Sequence, residues 1–391
     1  MTWLVRLKQL GTFLGLKPAY TACRRTYRAY KYIDWMKSVS REPVIGYVGW
    51  LGHGNFGDEI LLECIKELMH PIGFVELFEP QDATPDFFYA IREWHSGKSV
   101  LAAIFIGGGT LINEAVFLRI IEPAIATGAP LYVFGSGAKD RSSDHAPGCD
   151  FDALTNRYVQ ILQKAKAVYV RGPHSARMLE SSGVSNVSII GDPGLSLPAK
   201  YLCEREQRNL SFCVGISIGS WDKPKGDQHR ILEIVTELAK CLLASGFELR
   251  ILNMQEIDIP VATALAERAG IDLETANNPN NVLETFQAIR QCDIVIGQRL
   301  HSVVVAAAMG IPCISLAYAT KCKDFMASIK RENYCLDTDL LDVETLLRWV
   351  NEIRADYSSQ CAGLIDTCNT LRDAQKSASL AIVRELQNAK R

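Results

Sequence analysis

The sequence predicts an α/β protein of two domains, each a doubly wound parallel sheet, facing one another across a cleft, with helical extensions at both ends. Three observations carry this prediction. From Pro43 onward, short β-rich apolar runs alternate with amphipathic stretches of helix length, the pattern of parallel strands covered by helices on both faces. The alternation comes in two series, with a polar stretch between them. A chain of 391 residues also has the length of about two ordinary domains.

Residues 1–40 stand apart. Arg6, Lys8, Lys17, Arg24, Arg25, Arg28, Lys31 and Lys37 face the single acid Asp34, with Trp3, Phe13, Tyr20, Tyr27, Tyr30, Tyr32 and Trp35 interleaved. This predicts a basic, aromatic-rich helical extension. It suits the surface of an anionic membrane, and equally a packing face on the body of the protein or on a second subunit. The first domain, residues 41–205, carries the strand candidates VIGYVGW, FVELFEP, AAIFIGGG, LYVFGSGA, AVYVRG and VSIIGDPG, with DEILLECIKELM among the helices between them. The polar run AKYLCEREQRNLS is the linker. The second domain, residues 206–338, contributes FCVGISIGS, FELRILNM, DIVIGQ and PCISLAY. Residues 339–391 read as helix to the end, with no strand signal from about Leu340.

Composition narrows the function. The chain is 48% hydrophobic and 22% charged, with a formal net charge of -2. No basic stripe or RNA-binding aromatic motif marks its body, which speaks against a general nucleic-acid binder. The twelve cysteines are scattered, without a C-x-x-C pair, and Cys241, Cys292 and Cys313 sit inside apolar runs. They predict reduced core thiols in a cytosolic protein and no metal site. No signal-peptide pattern is present, and the charge-free stretch from Ser302 to Thr320 is broken by Gly310 and Pro312, so no membrane span is expected.

In doubly wound sheets, ligands bind where strand ends lead into helices, and here those ends are rich in glycine and polar groups. GWLGHGNFGDE follows the first strand: Gly52, Gly54 and Gly57 permit tight turns, Asn55 sits in the turn, and Asp58 and Glu59 open a helix. His53 is a site residue or a solvated loop residue. FIGGGTLIN runs a strand into Gly107, Gly108 and Gly109, a candidate anion-binding nest at a helix N-terminus, though it matches neither G-x-G-x-x-G nor a Walker loop. Arg171 ends another strand; it binds an anion bidentately or pairs with Asp192 of the GDPG turn. QRLHS puts Arg299, Leu300 and His301 at a strand-to-helix joint, and LAYATKCKDF brings Lys321 and Lys323 to the next strand end. Arg offers a rigid fork for carboxylate or phosphate, and His suits proton transfer near neutrality. The bland alternative is that Arg299 pairs with an acid and His301 caps the helix. Taken together, these residues predict a cationic pocket with a proton donor, suited to a small, highly charged anion.

The segments GWLGHGNFGDEILL, FIGGGTLI, YVRGPHSARML, GDPGLSLP and VIGQRLHSVVVAAAMGIPCISLAYATKCKDF resemble, in order, those of the polysaccharide pyruvyl transferase family. The resemblance runs from about Val44 to Phe325, and RLHSVVVAAAMGIPCISLAY with Lys321 is its most specific part. It implies a GT-B-like pair of Rossmann-like domains, with the donor on the second domain and the acceptor on the first. It also implies transfer of a pyruvyl group from phosphoenolpyruvate to a sugar of a polysaccharide or lipid-linked oligosaccharide, forming a ketal with no separate cofactor. On this reading His301 is the general acid and Asp58 the base or orienter of the acceptor hydroxyl. Arg299, Leu300, Lys321, Arg171 and Gly107 to Gly109 hold the donor, and Asn55 and His53 lie on the acceptor side. Two departures concern local contacts: Gly172 stands where the family often has Asp, and LGHG lengthens the first motif. Three other readings share the pocket. A nucleotide-sugar glycosyltransferase would use Glu256 on a ribose. A non-catalytic member of a polysaccharide assembly would keep the fold and lose the chemistry, which intact Arg299, His301 and Lys321 argue against. A plain phosphate-binding module leaves the second domain without a purpose. If the basic segment binds lipid, the protein works in the cytoplasm at the inner membrane face.

Overall fold

A computed structural model describes residues 44–51, 55–77, 101–126, 128–141, 148–202, 211–220, 227–273 and 276–389. The expected extension over residues 1–40 and the loop residue His53 lie outside them.

The first domain holds strands β1 (Val44–Val48), β2 (Gly73–Leu77), β3 (Ala103–Ile106), β4 (Gly109–Ile112), β5 (Leu131–Ala138), β6 (Ala167–Val170) and β7 (Val187–Ile189). They form one parallel sheet in the order β2-β1-β3-β5-β6-β7, with β4 pairing onto β5. Helices α1 (Phe56–Leu68), α2 (Ala115–Ile125), α3 (Phe151–Leu162) and α4 (Pro173–Ser181) cover it. The second domain holds β8 (Cys213–Ser217), β9 (Glu248–Ile251), β10 (Ile294–Gly297), β11 (Cys313–Ala317) and β12 (Cys335–Asp337), parallel in the order β12-β11-β10-β8-β9. Its helices are α5 (Gln228–Ala244), α6 (Ile259–Ala269), α7 (Val282–Arg290), α8 (Leu300–Ala308) and α9 (Thr320–Ser328). Strands β1, β3, β5, β8, β10 and β11 are buried along their whole length, so their sequences read as apolar runs without alternation. The sequence reading missed β4 and β12, which are only four and three residues long.

Helix α8 accounts for the most apolar segment of the chain. It packs against β10, β11, α1 and the 3-10 turn Pro193–Leu195 of the first domain, so every side is covered and no polar stripe is needed. Gly194 permits the close approach, since a Cβ there would lie 2.8 Å from Val304 Cγ1. Residues of α1, of that turn and of the second sheet consequently share one core.

Two further helices close the chain, α10 (Val343–Ala355) and α11 (Tyr357–Asn388). Helix α11 is no appendage. Its Leu364, Cys368 and Leu371 belong to the second-domain core, while Ala378, Ile382, Val383 and Leu386 pack with Tyr47, Phe105 and Tyr132 of the first sheet. Where it crosses, buried Gln375 Nε2 donates to the carbonyls of Ile190 (3.0 Å) and Asp192 (2.8 Å), and its Oε1 accepts from Ser196 Oγ at 2.5 Å. An amide buried with its partners made is a directional strap rather than a liability. Among the described residues, no helix is long and apolar enough to cross a membrane.

Candidate active site

The two sheets present their carboxyl ends to a common cleft, where a cavity of about 570 Å³ is lined from both domains. Trp50, Asn55, Gly57 and Asp58 follow β1, and Ala138 and Lys139 lie at the end of β5. Met254 and Gln255 follow β9, Arg299 to His301 follow β10, and Tyr318 to Lys321 follow β11. In each sheet the strand order reverses direction beside these ends, at β1/β3 and at β8/β10, which is where doubly wound folds leave a crevice.

His301 sits in the first turn of α8 with its ring against Gly57 of α1. A Cβ at position 57 would overlap the imidazole at Nδ1 and Cγ. Its Nε2 is buried and has no hydrogen-bond partner among the described residues. Burial first, then the positive charges of Arg171 and Lys321, lower its pKa to about 3. With only protein charges around it, the imidazole is therefore neutral at pH 7. Gly57→Ala illustrates the packing: alanine favours a helix over glycine by about 1 kcal/mol, but forcing the ring aside costs about 1–3 kcal/mol. The expected result is a lower melting temperature despite the better helix former. A variant as stable as wild type would refute the contact.

Asp58 faces His301's domain from the first turn of α1. Asn55 caps that helix, its Oδ1 accepting from Gly57 N at 3.1 Å, and its Nδ2 donates to Asp58 Oδ2. Burial raises the Asp58 pKa to about 7, against the opposing charges of Lys321 and Arg171. Lys321, in the first turn of α9, lies 4.8 Å from the centre of the Tyr318 ring. Burial works against its charge, yet Tyr318, Cys322 and Asp58 outweigh it and hold the ammonium above the ordinary lysine range. The first turns of α8 and α9 both line the cavity, and neither N-cap residue, Arg299 nor Ala319, has a side-chain bond to them. Two helix dipoles thus add positive potential beside Lys321.

The remaining expectations divide. Arg299 and Leu300 line the cavity, but Arg299 Nε and Nη2 are committed to Asp258 in a forked pair at 2.5–3.1 Å, and Nη2 also donates to Ser220 O at 2.8 Å. Arg171 is not at the cavity wall at all. It is 0% exposed beside Asp192, also 0%, with Nε 3.2 Å from Oδ2, while Nη2 donates to Gly109 O and to Thr110 Oγ1 at 3.1 Å. The alternative given to Arg171, a structural pair, is the one observed. Gly107, Gly108 and Gly109 do not open a helix either, because α2 begins only at Ala115. Gly107 makes room for the Tyr47 ring and Gly108 for Leu61, and of the three only Gly109, at φ 95°, lines the cavity. Lys323 is paired with Asp337 at 2.7 Å, and Glu256 accepts from Asn280, both outside the cavity lining. Gly172 is explained by the opposite domain: a Cβ there would overlap Asp324. Asp324 accepts from His174 N (2.9 Å), Ser175 N (3.2 Å) and Ser175 Oγ (2.6 Å), so a carboxylate of α9 caps α4 across the domain boundary.

The family model of the polysaccharide pyruvyl transferases matches residues 55–320, with Asn55 at one end and Thr320 at the other. The chain belongs to that family. No curated protein matches its sequence. Among solved structures, it is similar to UDP-GlcNAc 2-epimerase from Neisseria meningitidis bound to UDP-GlcNAc, with 12% identity over 88% of this chain and 100% of that one, at a TM-score of 0.58. It is also similar to MnaA of S. aureus with UDP (10% identity, 83% and 90% covered, TM-score 0.53). For UGT2 of Phytolacca americana the values are 12%, 88%, 99% and 0.51. Identities this low speak to fold, and the fold is GT-B: a transferase family on the two-domain frame of these proteins.

In this pyruvyl transferase family member, the paired shifts at Asp58 and His301 have a measurable consequence. The Asp58 pKa rises from 3.8 to about 7 on folding, so its contribution is complete below about pH 4 and lost as pH rises through 7. The His301 pKa falls from 6.5 to about 3, so its contribution is complete above pH 6.5 and lost as pH falls towards 3. Between these limits the two slopes oppose, each up to about 1.4 kcal/mol per pH unit. Relative to wild type, Asp58→Asn is expected to gain stability as pH rises from about 4 to 6.5, and His301→Gln to lose it. Urea titrations across that range test both signs. Parallel curves for all three proteins would rule the account out.

Several cavity residues escaped the sequence reading: Trp50, Glu114, Phe117, Lys139, Met254, Tyr318 and Thr320. Trp50, the last residue of VIGYVGW, was the most accessible signal, an aromatic at a strand end beside a glycine. Thr320 gave none: its hydroxyl donates to Asp140 Oδ2 at 2.5 Å, 180 residues away. Among the described residues, no group of three or more His, Cys, Asp and Glu is placed to hold a metal ion.

Proposed function

We propose that the cavity transfers a pyruvyl group from phosphoenolpyruvate to two hydroxyls of one sugar, releasing phosphate. The observation that carries this reading is the convergence of an unpartnered His301 Nε2, the Lys321 ammonium and Asp58 beside the first turns of α8 and α9. Phosphoenolpyruvate brings a phosphate and a carboxylate on three carbons, and Lys321 with the two helix N-termini answers that charge. Burial and the field of Arg171 and Lys321 keep His301 neutral, and the donor's negative charge opposes that field, so binding raises the imidazole pKa towards loading the acid. His301 then gives its proton to the methylene carbon, C2 becomes electrophilic, and the first sugar hydroxyl attacks it, losing its proton to Asp58. The second hydroxyl attacks C2 as the C–O bond to phosphate breaks, and its proton leaves with the phosphate. One new methyl C–H bond, two ketal C–O bonds and one free phosphate balance the reaction. Asp58 as base must be ionised and His301 as acid protonated, so turnover is expected to be bell-shaped in pH, falling where Asp58 is protonated and again where His301 is neutral.

A nucleotide-sugar donor is the second reading, supported by the fold shared with proteins bound to UDP and UDP-GlcNAc. Glu256, the acid it would use, lies outside the cavity lining. The deciding experiment measures phosphate release from phosphoenolpyruvate with a membrane-extract oligosaccharide pool, alongside thermal stabilisation by phosphoenolpyruvate and by UDP-GlcNAc. Acceptor-dependent release with stabilisation by phosphoenolpyruvate supports the first reading. Stabilisation by UDP-GlcNAc alone transfers support to the second. The basic segment within residues 1–38 would bring the site to an anionic membrane carrying a lipid-linked acceptor. Unchanged membrane fractionation after its deletion would remove that part of the proposal.

A further inference from the structure

The proposed chemistry uses His301, Lys321 and Asp58, which leaves the rest of the first-domain wall of the cavity unexplained. Trp50 dominates it. The indole is 37% exposed although it lines the cavity, and it stands edge-on against Phe117 of α2, with centroids 6.2 Å apart at 82°. Phe117 is 4% exposed, so the indole rests on a fixed support. On the same wall, Lys139 and Glu114 form an ion pair with side chains 23% and 24% exposed.

The backbone under that pair is held rigidly. Asn113, fully buried, takes the left-handed conformation at φ 61°, and its Nδ2 donates to Lys139 O at 3.0 Å. Lys139 N donates to Ile112 O at 3.0 Å. The buried Tyr158 hydroxyl is shared between the carbonyls of Leu111 (2.9 Å) and Glu114 (2.8 Å). Asparagine enters that conformation more readily than other non-glycine residues, and the surrounding bonds hold it there. The turn delivers Glu114 to the cavity wall one residue before α2 begins.

An apolar ring face next to a fixed donor–acceptor pair suits a ligand that is apolar on its flat side and hydroxylated around its rim. A hexopyranose has that shape: axial and ring C–H groups lie against an aromatic plane while equatorial hydroxyls reach a carboxylate and an ammonium. A nucleobase offers the flat face without the rim. We infer that Trp50 is the platform for the acceptor hexopyranose, with Glu114 and Lys139 taking its hydroxyls and setting which sugar is accepted. This rests on reading the cavity as a pyruvyl-transfer site, and it identifies the acceptor half of it.

The test titrates wild type, Trp50→Phe and Trp50→Ala with the methyl glycosides of glucose, galactose, mannose and their 2-acetamido counterparts. UMP serves as the nucleobase probe. Indole emission reports contact, saturation-transfer NMR reports binding, and stabilisation by phosphoenolpyruvate is followed in parallel. The expected result is that at least one glycoside perturbs wild-type emission and that Trp50→Phe loses the perturbation while still binding. Trp50→Ala should weaken that glycoside about tenfold to hundredfold, with phosphoenolpyruvate stabilisation equal in all three proteins. The inference is overturned if no glycoside perturbs emission, if Trp50→Phe keeps the full perturbation, or if UMP alone produces it. Absent stabilisation of wild type by phosphoenolpyruvate, with the glycoside response intact, would sink the donor assignment and leave the sugar platform standing.

Discussion

Replacing His301 with alanine is expected to lower acceptor-dependent phosphate release by about 10²–10⁴-fold, the usual contribution of a positioned acid. Stabilisation by phosphoenolpyruvate should survive, because Lys321 and the first turns of α8 and α9 remain. The split matters, since the ring also packs on Gly57 and its loss opens space in the wall. A variant that lost only packing would melt earlier and turn over at near the wild-type rate. One that lost the acid would bind donor and fail to consume it. Release within a few-fold of wild type would remove His301 from the chemistry.

The second large effect concerns stability. Arg171→Met is expected to cost about 3–5 kcal/mol, because it leaves Asp192 charged and buried without its partner. Burial already pushes the Asp192 pKa up, and Arg171 is the chief force restraining it. Arg171→Met combined with Asp192→Leu should cost less than the two single changes added together, since neither buried charge is then left alone. Denaturant titration of the four proteins gives the coupling directly. A cost below about 1 kcal/mol for Arg171→Met would mean that water or relaxation replaces the guanidinium, contrary to full burial. The same substitution removes positive field from the cavity: Arg171 lowers both the His301 and the Asp58 pKa, so both should rise in the variant.

These two arginines show why site residues are harder to read from sequence than folds. Arg171 and Arg299 look alike in the chain, each at the carboxyl end of a strand beside glycine or glutamine. Arg171 is sealed beneath the cavity by Asp192, and Arg299 reaches the cavity with its fork turned to Asp258. The acids that separate them stand 21 and 41 residues away; Asp192 was legible only as one of two alternatives for Arg171, and Asp258 was not legible at all. The triple glycine misled for a related reason. Gly107 and Gly108 answer the bulk of Tyr47 and Leu61, which only strand and helix packing brings there. Proton chemistry was less legible still. Histidine suggested an acid near neutrality and aspartate an ionised base, and burial moves the two in opposite directions, to about 3 and about 7.

What the sequence determined by itself was the frame: two series of apolar strands alternating with helices, glycine-rich strand ends, and RLHS with Lys321 on neighbouring strand ends. Those features rest on local periodicity and turn chemistry, which a few consecutive residues encode. Tertiary structure decided the rest: which cation stays at the cavity wall, which domain caps which helix, and which carboxyl or imidazole holds a proton. Each of those depends on burial and on charges brought together from distant parts of the chain, and such quantities exist only once the two sheets have closed on a common cleft.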